Sequence, residues 1–300
     1  MISPRKLKEL YERGENISAT MRNELGIKDN TQEIIEISYD LQTGSYINAM
    51  KNEDMLKHKD EYTSEIAKII QSLCDPSSIL EAGVGEATTF SGVIKKSENK
   101  IRGYGFDLSW SRVAYAKKYL KYQNVDNIAL CTGDLFDIPF ADNSIDIVYT
   151  SHSIEPNRGG EKRILSELYR VARKYVILLE PAYEFANKET RSRMESHGYC
   201  RGLKETAESL GFDVVKNELF PFVANPMNPT AITIISKQCN MKAPMEVFVC
   251  PQFKTPLKEI DSVMYSPEAL VAYPIIGGIP CLRIDNGVLA SKLEEVALYS

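Results

Sequence analysis

Residues 78–88 read Ser78-Ile79-Leu80-Glu81-Ala82-Gly83-Val84-Gly85-Glu86-Ala87-Thr88. A short apolar run ends in an acid, Glu81. Two glycines follow at alternate positions, Gly83 and Gly85, ahead of a helix-compatible stretch. A strand that ends in a glycine turn lets a ligand approach the backbone, because no Cβ stands in the way. Nucleotides are commonly seated like this at the carboxyl edge of a parallel sheet. A dinucleotide fingerprint would need a third glycine in Gly-x-Gly-x-x-Gly, and that position is Thr88.

Working outward, apolar runs alternate with amphipathic segments from Ser78 to about Lys237. The pattern predicts strands at Ser78–Glu81, Ile101–Asp107, Ile128–Thr132, Ile145–Thr150, Tyr175–Glu180, Asp213–Phe222 and Thr230–Ser236. Helices are expected between them at Thr89–Ser97, Ser111–Tyr122, Glu161–Ala172 and Glu189–Leu210. This alternation predicts an α/β fold with a parallel sheet covered on both faces. Only the turn Ala224-Asn225-Pro226-Met227-Asn228-Pro229 joins the last two strands, so they should form an antiparallel hairpin. Residues 1–76 read as a helical cap. Apolar faces run through Leu7, Leu10 and Tyr11, through Ile34, Ile35, Ile37 and Leu41, and through Tyr62, Ile66, Ile69, Ile70 and Leu73. Asp75-Pro76 should stop the third helix. A linker is expected over 238–244. Residues 245–300 should form a small β-rich unit with a turn at Gly277-Gly278 and a charged helical tail at Leu289–Ala297.

The second and third predicted strands both end in acids. Asp107 closes Ile101–Asp107, where a carboxylate can accept from two ribose hydroxyls. Asp134 follows Ile128–Thr132, where it can accept from an adenine amino group while Leu135 packs on the ring. Either acid alone is equally a turn residue or a helix cap. Both, in order after Glu81-Ala82-Gly83-Val84-Gly85, resemble class I S-adenosylmethionine-dependent methyltransferases of the small-molecule type. Ile145-Asp146-Ile147-Val148 resembles that family's next strand, and Pro139-Phe140-Ala141-Asp142-Asn143-Ser144 resembles the stretch before it. The family loop's third glycine is Ala87 here. The resemblance covers about residues 60–237. It implies a seven-stranded Rossmann-like sheet, a core over 77–238 and S-adenosyl-L-methionine as cofactor. Glu81, Gly83, Gly85, Asp107, Leu108, Asp134, Leu135 and Ser151 would then bind it.

Methyl transfer asks the protein to align an acceptor with an activated methyl group and, for some acceptors, to remove a proton. Groups that follow the fourth and fifth strands face the crevice. His152 is a candidate general base or a structural imidazole, and Glu155 is a candidate catalytic carboxylate or a turn carboxylate. Asn157, Glu180 and Tyr183 are candidate substrate contacts. Gly198 and Gly202 should interrupt the following helix and place His197 and Arg201 in a loop, as a second catalytic histidine and an anion contact or as an exposed helix end. In Ser38-Tyr39-Asp40-Leu41-Gln42-Thr43-Gly44-Ser45-Tyr46, the resemblance implies a lid. Tyr46 would then lie against the cofactor and Tyr39 against the substrate, the alternative being aromatic packing of the cap.

Val249-Cys250-Pro251-Gln252-Phe253 resembles the start of a zinc-ribbon-like module, of a kind that accompanies or activates some methyltransferases. Phe253 stands where the second cysteine would be, and only Cys250 and Cys281 are left as ligands. Tetrahedral zinc needs four. The expectation is a degenerate, metal-free ribbon used for packing, homodimerisation or shaping the substrate side.

Composition narrows the function. The 300 residues are 43% hydrophobic and 26% charged, with a net charge of -5, which offers no global attraction to nucleic acid. No run approaches the ~20 apolar residues of a membrane span. Six scattered cysteines without a Cys-x-x-Cys pair read as reduced thiols of a cytoplasmic protein. The leading expectation is an enzyme that O-methylates a small polar molecule, such as a sugar or glycan precursor. The alternatives are an RNA or protein methyltransferase, and a non-catalytic cofactor-binding subunit that docks a partner.

Overall fold

The computed structural model describes residues 2–97, 101–239 and 241–297. Asn240, inside the expected linker, and residues 298–300 of the expected C-terminal unit lie outside the described residues. Helices α1 (Pro4–Glu12), α2 (Ile17–Leu25), α3 (Gln32–Leu41), α4 (Ser45–Ala49) and α5 (Glu53–Leu73) open the chain. Side-chain oxygens of Ser3, Asn16, Thr31 and Asn52 accept first-turn amides and so start α1, α2, α3 and α5. Leu7, Ile17, Met21 and Ile34 bury together and join the first three helices into a cap. α5 stops at Leu73, just ahead of Asp75-Pro76.

Strand and helix then alternate through β1 (Ser78–Ala82), α6 (Thr88–Lys96), β2 (Arg102–Asp107), α7 (Trp110–Tyr122), β3 (Ile128–Thr132), β4 (Ile145–Ser151), α8 (Glu161–Val171) and β5 (Ala172–Pro181). After them come α9 (Lys188–His197), α10 (Leu203–Ser209), β6 (Asp213–Leu219) and β7 (Thr230–Ser236). The strands form one seven-stranded sheet in the order β3-β2-β1-β4-β5-β7-β6. The first five are parallel, and β7 runs antiparallel to both β5 and β6. The terminal hairpin is therefore as expected. The helical stretch over Glu189–Leu210 is interrupted at its glycines as expected, since Gly198 caps α9 at φ 71° and Gly202 starts α10 at φ 63°. Some element ends differ from the expected ones. β6 ends at Leu219, because Phe220 turns inward against Tyr62, with ring centroids 5.0 Å apart.

One face of the sheet packs on α5, α6 and α7 through Ile66, Phe90 and Leu120. The other packs on α8 and α10 through Leu165, Leu168 and Ala207. Among the described residues, no helix is long and apolar enough to cross a membrane.

The C-terminal residues form a small antiparallel sheet of β8 (Lys258–Ile260), β9 (Val263–Ser266), β10 (Val271–Ile276), β11 (Ile279–Pro280) and β12 (Val288–Leu289), followed by α11 (Leu293–Ala297). Gly277 and Gly278 make the β10–β11 turn at φ 61° and 70°. Cys250, Tyr273 and Leu282 bury in the same core as Phe106 and Phe140. Cys281 bridges in parallel to Thr132 at the end of β3, and the Leu282 amide donates to the Thr132 carbonyl at 3.2 Å. The apolar run Val247–Val249 is not a strand of this small sheet. Instead, Ala141 N donates to Val247 O (2.9 Å) and Val249 N to Pro139 O (3.0 Å).

Candidate active site

β1 and β4 are neighbours in the sheet, and the strand order reverses between them, so a crevice opens at their carboxyl ends. The Gly83–Gly85 turn forms its floor. Gly83 adopts φ 78°, and its amide and that of Val84 donate to the Phe106 carbonyl. A Cβ at Gly83 would lie 2.2 Å from Ser153 Cβ, so only glycine lets the two loops meet. The resulting cavity has a volume of about 300 Å³.

Tyr39, Tyr46, Glu81, Gly83, Gly85, Asp107, Leu108, Leu135, Ser151, His152, Glu155 and Asn157, all singled out in the sequence, line this one space. Glu81 is buried and accepts from Tyr149 Oη at 2.7 Å. Burial pushes its carboxyl up to about 8, against that hydrogen bond and the charge of Lys59. Lys59 also lines the cavity, and its Nζ donates to Thr89 Oγ1 at 3.0 Å. Asp107 receives the amides of Gly85 and Ser109, each at 3.0 Å, so its carboxylate is fixed by both the glycine turn and the start of α7. Burial raises its carboxyl above 3.8, opposed by the charge of Arg112. Asp134 lies beside the cavity rather than in its wall, and its Oδ1 accepts from Phe136 N at 2.8 Å.

The segment around Tyr39 and Tyr46 closes the cavity from above. Glu86, next to Gly85, is 2% exposed. Its carboxylate accepts the amides of Gly44 (2.9 Å), Tyr46 (3.4 Å) and Ile47 (2.8 Å), which binds the start of α4 to the glycine turn. Arg112 donates from Nε to the Tyr39 carbonyl at 2.9 Å, with its guanidinium 4.7 Å from the Tyr39 ring and 5.0 Å from the Tyr46 ring. Ser109 Oγ donates to Asp40 at 2.6 Å.

His152 follows β4 at φ 57°, a left-handed conformation that non-glycine residues seldom adopt. Both of its ring nitrogens are engaged, Nδ1 with Glu155 at 2.5 Å and Nε2 with Thr230 Oγ1 at 2.8 Å. Burial works against its charge, but the hydrogen bond and charge of Glu155 outweigh it and raise the imidazole above 6.5. The same pairing overcomes burial at Glu155 and holds its carboxyl below 4.5. Both ring nitrogens of His152 are thus held in place at the cavity wall, one by a carboxylate and one by a hydroxyl. Glu180 does not line the cavity. It lies beneath this loop, 2% exposed, and accepts the amides of Ser153 (3.1 Å), Ile154 (3.2 Å) and Glu155 (3.0 Å). Burial pushes its carboxyl up to about 7 against the charge of His152. Asn157 accepts from Gln32 Nε2 at 3.0 Å, and Asn228 donates to Glu155 at 3.1 Å.

Three expected residues are elsewhere. His197 ends α9 with Nδ1 2.9 Å from the Arg193 carbonyl. Tyr183 donates to Glu195 at 2.5 Å, and Arg201 lies over the Tyr183 ring and 3.7 Å from Glu195. His197, Tyr183 and Arg201 therefore do not line the cavity. Conversely, Gln32, Lys59, Glu86, Arg112 and Asn228 line it and were not singled out. Glu86 lies inside the glycine turn itself, and that position was its only signal. The others carry no marker in the local pattern. Among the described residues, no group of three or more His, Cys, Asp or Glu could hold a metal ion.

Residues 79–175 match a family model described as a methyltransferase domain, a span that begins in β1 and ends in β5. Three solved structures are similar. Magnesium protoporphyrin IX methyltransferase from Synechocystis PCC 6803 with bound SAH is 15% identical, over 69% of this chain and 100% of that one, with a TM-score of 0.52. The same enzyme with bound SAM is 15% identical, over 70% and 98%, with a TM-score of 0.51. A chain of the complex between the Haloferax volcanii Trm112 methyltransferase activator and a candidate methyltransferase is 16% identical, over 67% and 97%, with a TM-score of 0.52. At these identities the likeness is one of fold. The match to a methyltransferase domain covers residues 79–175, and the glycine turn, Asp107 and Asp134 all fall inside that span.

Proposed function

We propose that this chain is an S-adenosyl-L-methionine-dependent methyltransferase that methylates an oxygen of a small polar molecule, with a sugar or glycan precursor as the acceptor class. The observation that carries this reading is a partly open cavity of about 300 Å³ at the carboxyl ends of β1 and β4. It is lined on one side by the glycine turn, Glu81 and Asp107, and on the other by Gln32, Asn157 and Asn228. That volume is at the small end for ligand sites, so a cofactor and a compact acceptor fit the space better than a polymer does. The net charge of -5 points the same way, against an RNA acceptor.

When bound, the cofactor supplies a methyl group already activated on a sulfonium. The protein binds, orients and excludes water. Asp107, fixed by two amides, offers its free lone pairs to ribose hydroxyls. Leu135 would pack on the adenine, and Asp134, beside the cavity, would reach its amino group with the lone pairs that Phe136 leaves open. Glu81 and Lys59 would take the two charged ends of the amino-acid moiety, with Leu108 and Ser151 completing the wall. Tyr46 and Tyr39 cover the site. His152 and Glu155 hold one another, Glu155 holds Asn228, and Gln32 and the Ser153 carbonyl hold Asn157, while Glu180 holds their loop from below. As the acceptor oxygen gains the methyl group and the C–S bond breaks, His152 would take the hydroxyl proton. The division into a cap (1–76), a core (77–238) and a degenerate zinc-ribbon-like unit (245–300) belongs to the same proposal, as do a cytoplasmic location and a homodimer.

Isothermal titration with S-adenosylmethionine and S-adenosylhomocysteine tests the cofactor site, and absence of binding by both would overturn it. Transfer of labelled methyl to sugar nucleotides, with none to bulk RNA, tests the acceptor class. The opposite pattern would move the reading to nucleic acid.

A further inference from the structure

We propose that Arg283, in the C-terminal unit, holds the lid closed over the cavity through Glu36 of α3. Arg283 would then be a positioning residue for the reaction proposed above, and the inference rests on that reading. Arg283 is 7% exposed and lies just after Cys281 and Leu282, which follow β11. Its Nη1 donates to the Glu36 carboxylate and lies 3.5 Å from the Leu108 carbonyl, in the loop that carries Asp107. One guanidinium thus spans the lid helix and the cofactor loop.

The rest of the unit supports that span from the far side of α7. Trp110 Nε1 donates to the Ile276 carbonyl at 3.2 Å, and Lys117 Nζ to the carbonyls of Gly277 (3.1 Å) and Gly278 (3.2 Å). The opposite side of the first turn of α7 grips the lid through Ser109 and Arg112. α7 is therefore clasped between the lid and the β10–β11 turn. Arg283 is the group of the C-terminal unit that passes α7 and reaches α3 itself. The pair is partly withdrawn from water, with side-chain exposures of 9% for Arg283 and 36% for Glu36, so screening weakens it less than a fully exposed pair. Without Glu36, Arg283 keeps the long contact to the Leu108 carbonyl, Asp285 at 3.9 Å and 86% exposed, and the more distant charge of Asp134.

The test compares Glu36→Gln, Arg283→Gln and the double variant in the full chain. Titration with S-adenosylhomocysteine gives affinity, and amide hydrogen exchange gives the protection of α3 and α4. Glu36→Gln is the safer probe, because Glu36 lies at the surface and its loss leaves the C-terminal core intact. The expected result is a dissociation constant raised roughly fivefold in each single variant and no further in the double. α3 and α4 should exchange faster in Glu36→Gln while β9 and β10 keep wild-type protection. Unchanged affinity and exchange in Glu36→Gln would overturn the inference, and so would an effect of Arg283→Gln that adds fully to that of Glu36→Gln. If the wild-type chain bound no S-adenosylhomocysteine, the cofactor reading would fall. The exchange of α3 would still decide whether Arg283 holds the lid.

Discussion

Replacing Gly83 with alanine tests the geometry on which the site rests. The new Cβ would lie 2.2 Å from Ser153 Cβ and 2.8 Å from Ser153 Oγ. Two carbons rest about 3.5–4.0 Å apart, so the β1 turn and the His152 loop must part by about 1.5 Å. Overpacking of this kind costs about 1–3 kcal/mol. The backbone adds to it, because φ 78° in a residue with a Cβ costs about 1–2 kcal/mol. The total is about 2–5 kcal/mol, read from the urea midpoint at constant m. Ser153 Oγ also donates to the Ala82 carbonyl at 2.6 Å, so the displacement reaches both walls of the cavity. Affinity for S-adenosylhomocysteine should fall at least about tenfold. Repeating Gly83→Ala in a Ser153→Gly background, with Ser153→Gly alone as reference, removes the carbon contact and should leave only the backbone share, about 1–2 kcal/mol. Wild-type stability in Gly83→Ala, or a cost that Ser153→Gly does not relieve, would refute the reasoning.

Glu180→Gln puts an NH2 group among three backbone amides that now donate to a carboxylate, and should cost about 2 kcal/mol in urea unfolding with the sheet intact by circular dichroism. The His152–Glu155 pair predicts a pH signature. His152 is raised above 6.5, so its contribution is full below that pH and fades as pH rises through the folded-state value. Glu155 is held below 4.5, so its contribution is present above that pH and fades as pH falls through the lower folded-state value. Wild type should therefore lose stability relative to His152→Asn as pH rises above 6.5, and parallel stability curves there would contradict the pairing. His197→Ala and Arg201→Ala, outside the cavity, should leave cofactor affinity and turnover within about twofold of wild type. A tenfold loss in either would put the α9 surface back in the site.

The parts of this molecule that could be read from its sequence are those in which local pattern and tertiary role coincide. Glu81, Gly83, Gly85 and Asp107 each stand at a strand end, so the alternation that predicts the sheet also predicts where they converge. Phe220 shows the limit at an element boundary, since its apolar side chain extends the strand pattern although it turns inward on Tyr62. Lys59 and Arg112 reach the cavity from the middle of α5 and the first turn of α7, where a cation usually reads as a solvated helix face. His152 and His197 looked alike in sequence. Burial beside Glu155 fixed one, and the other ends α9 away from the cavity. The docking of the C-terminal unit had no local sign, because backbone groups of Thr132, Cys281 and Leu282 make the bridge.

That bridge also bears on the order in which the protein is built. The edge of β3 waits through roughly half the chain's synthesis for its partner, and Glu36 and Arg283 are 247 positions apart. Contacts of such separation form late and slowly, because the loop entropy is lost before the contact is gained. A nascent chain that has folded its sheet but not yet released residues 279–283 leaves the end of β3, at Thr132, uncovered beside an open cofactor loop. Such edges template pairing with other chains. The last segment to dock thus protects the newly made protein from its own sheet.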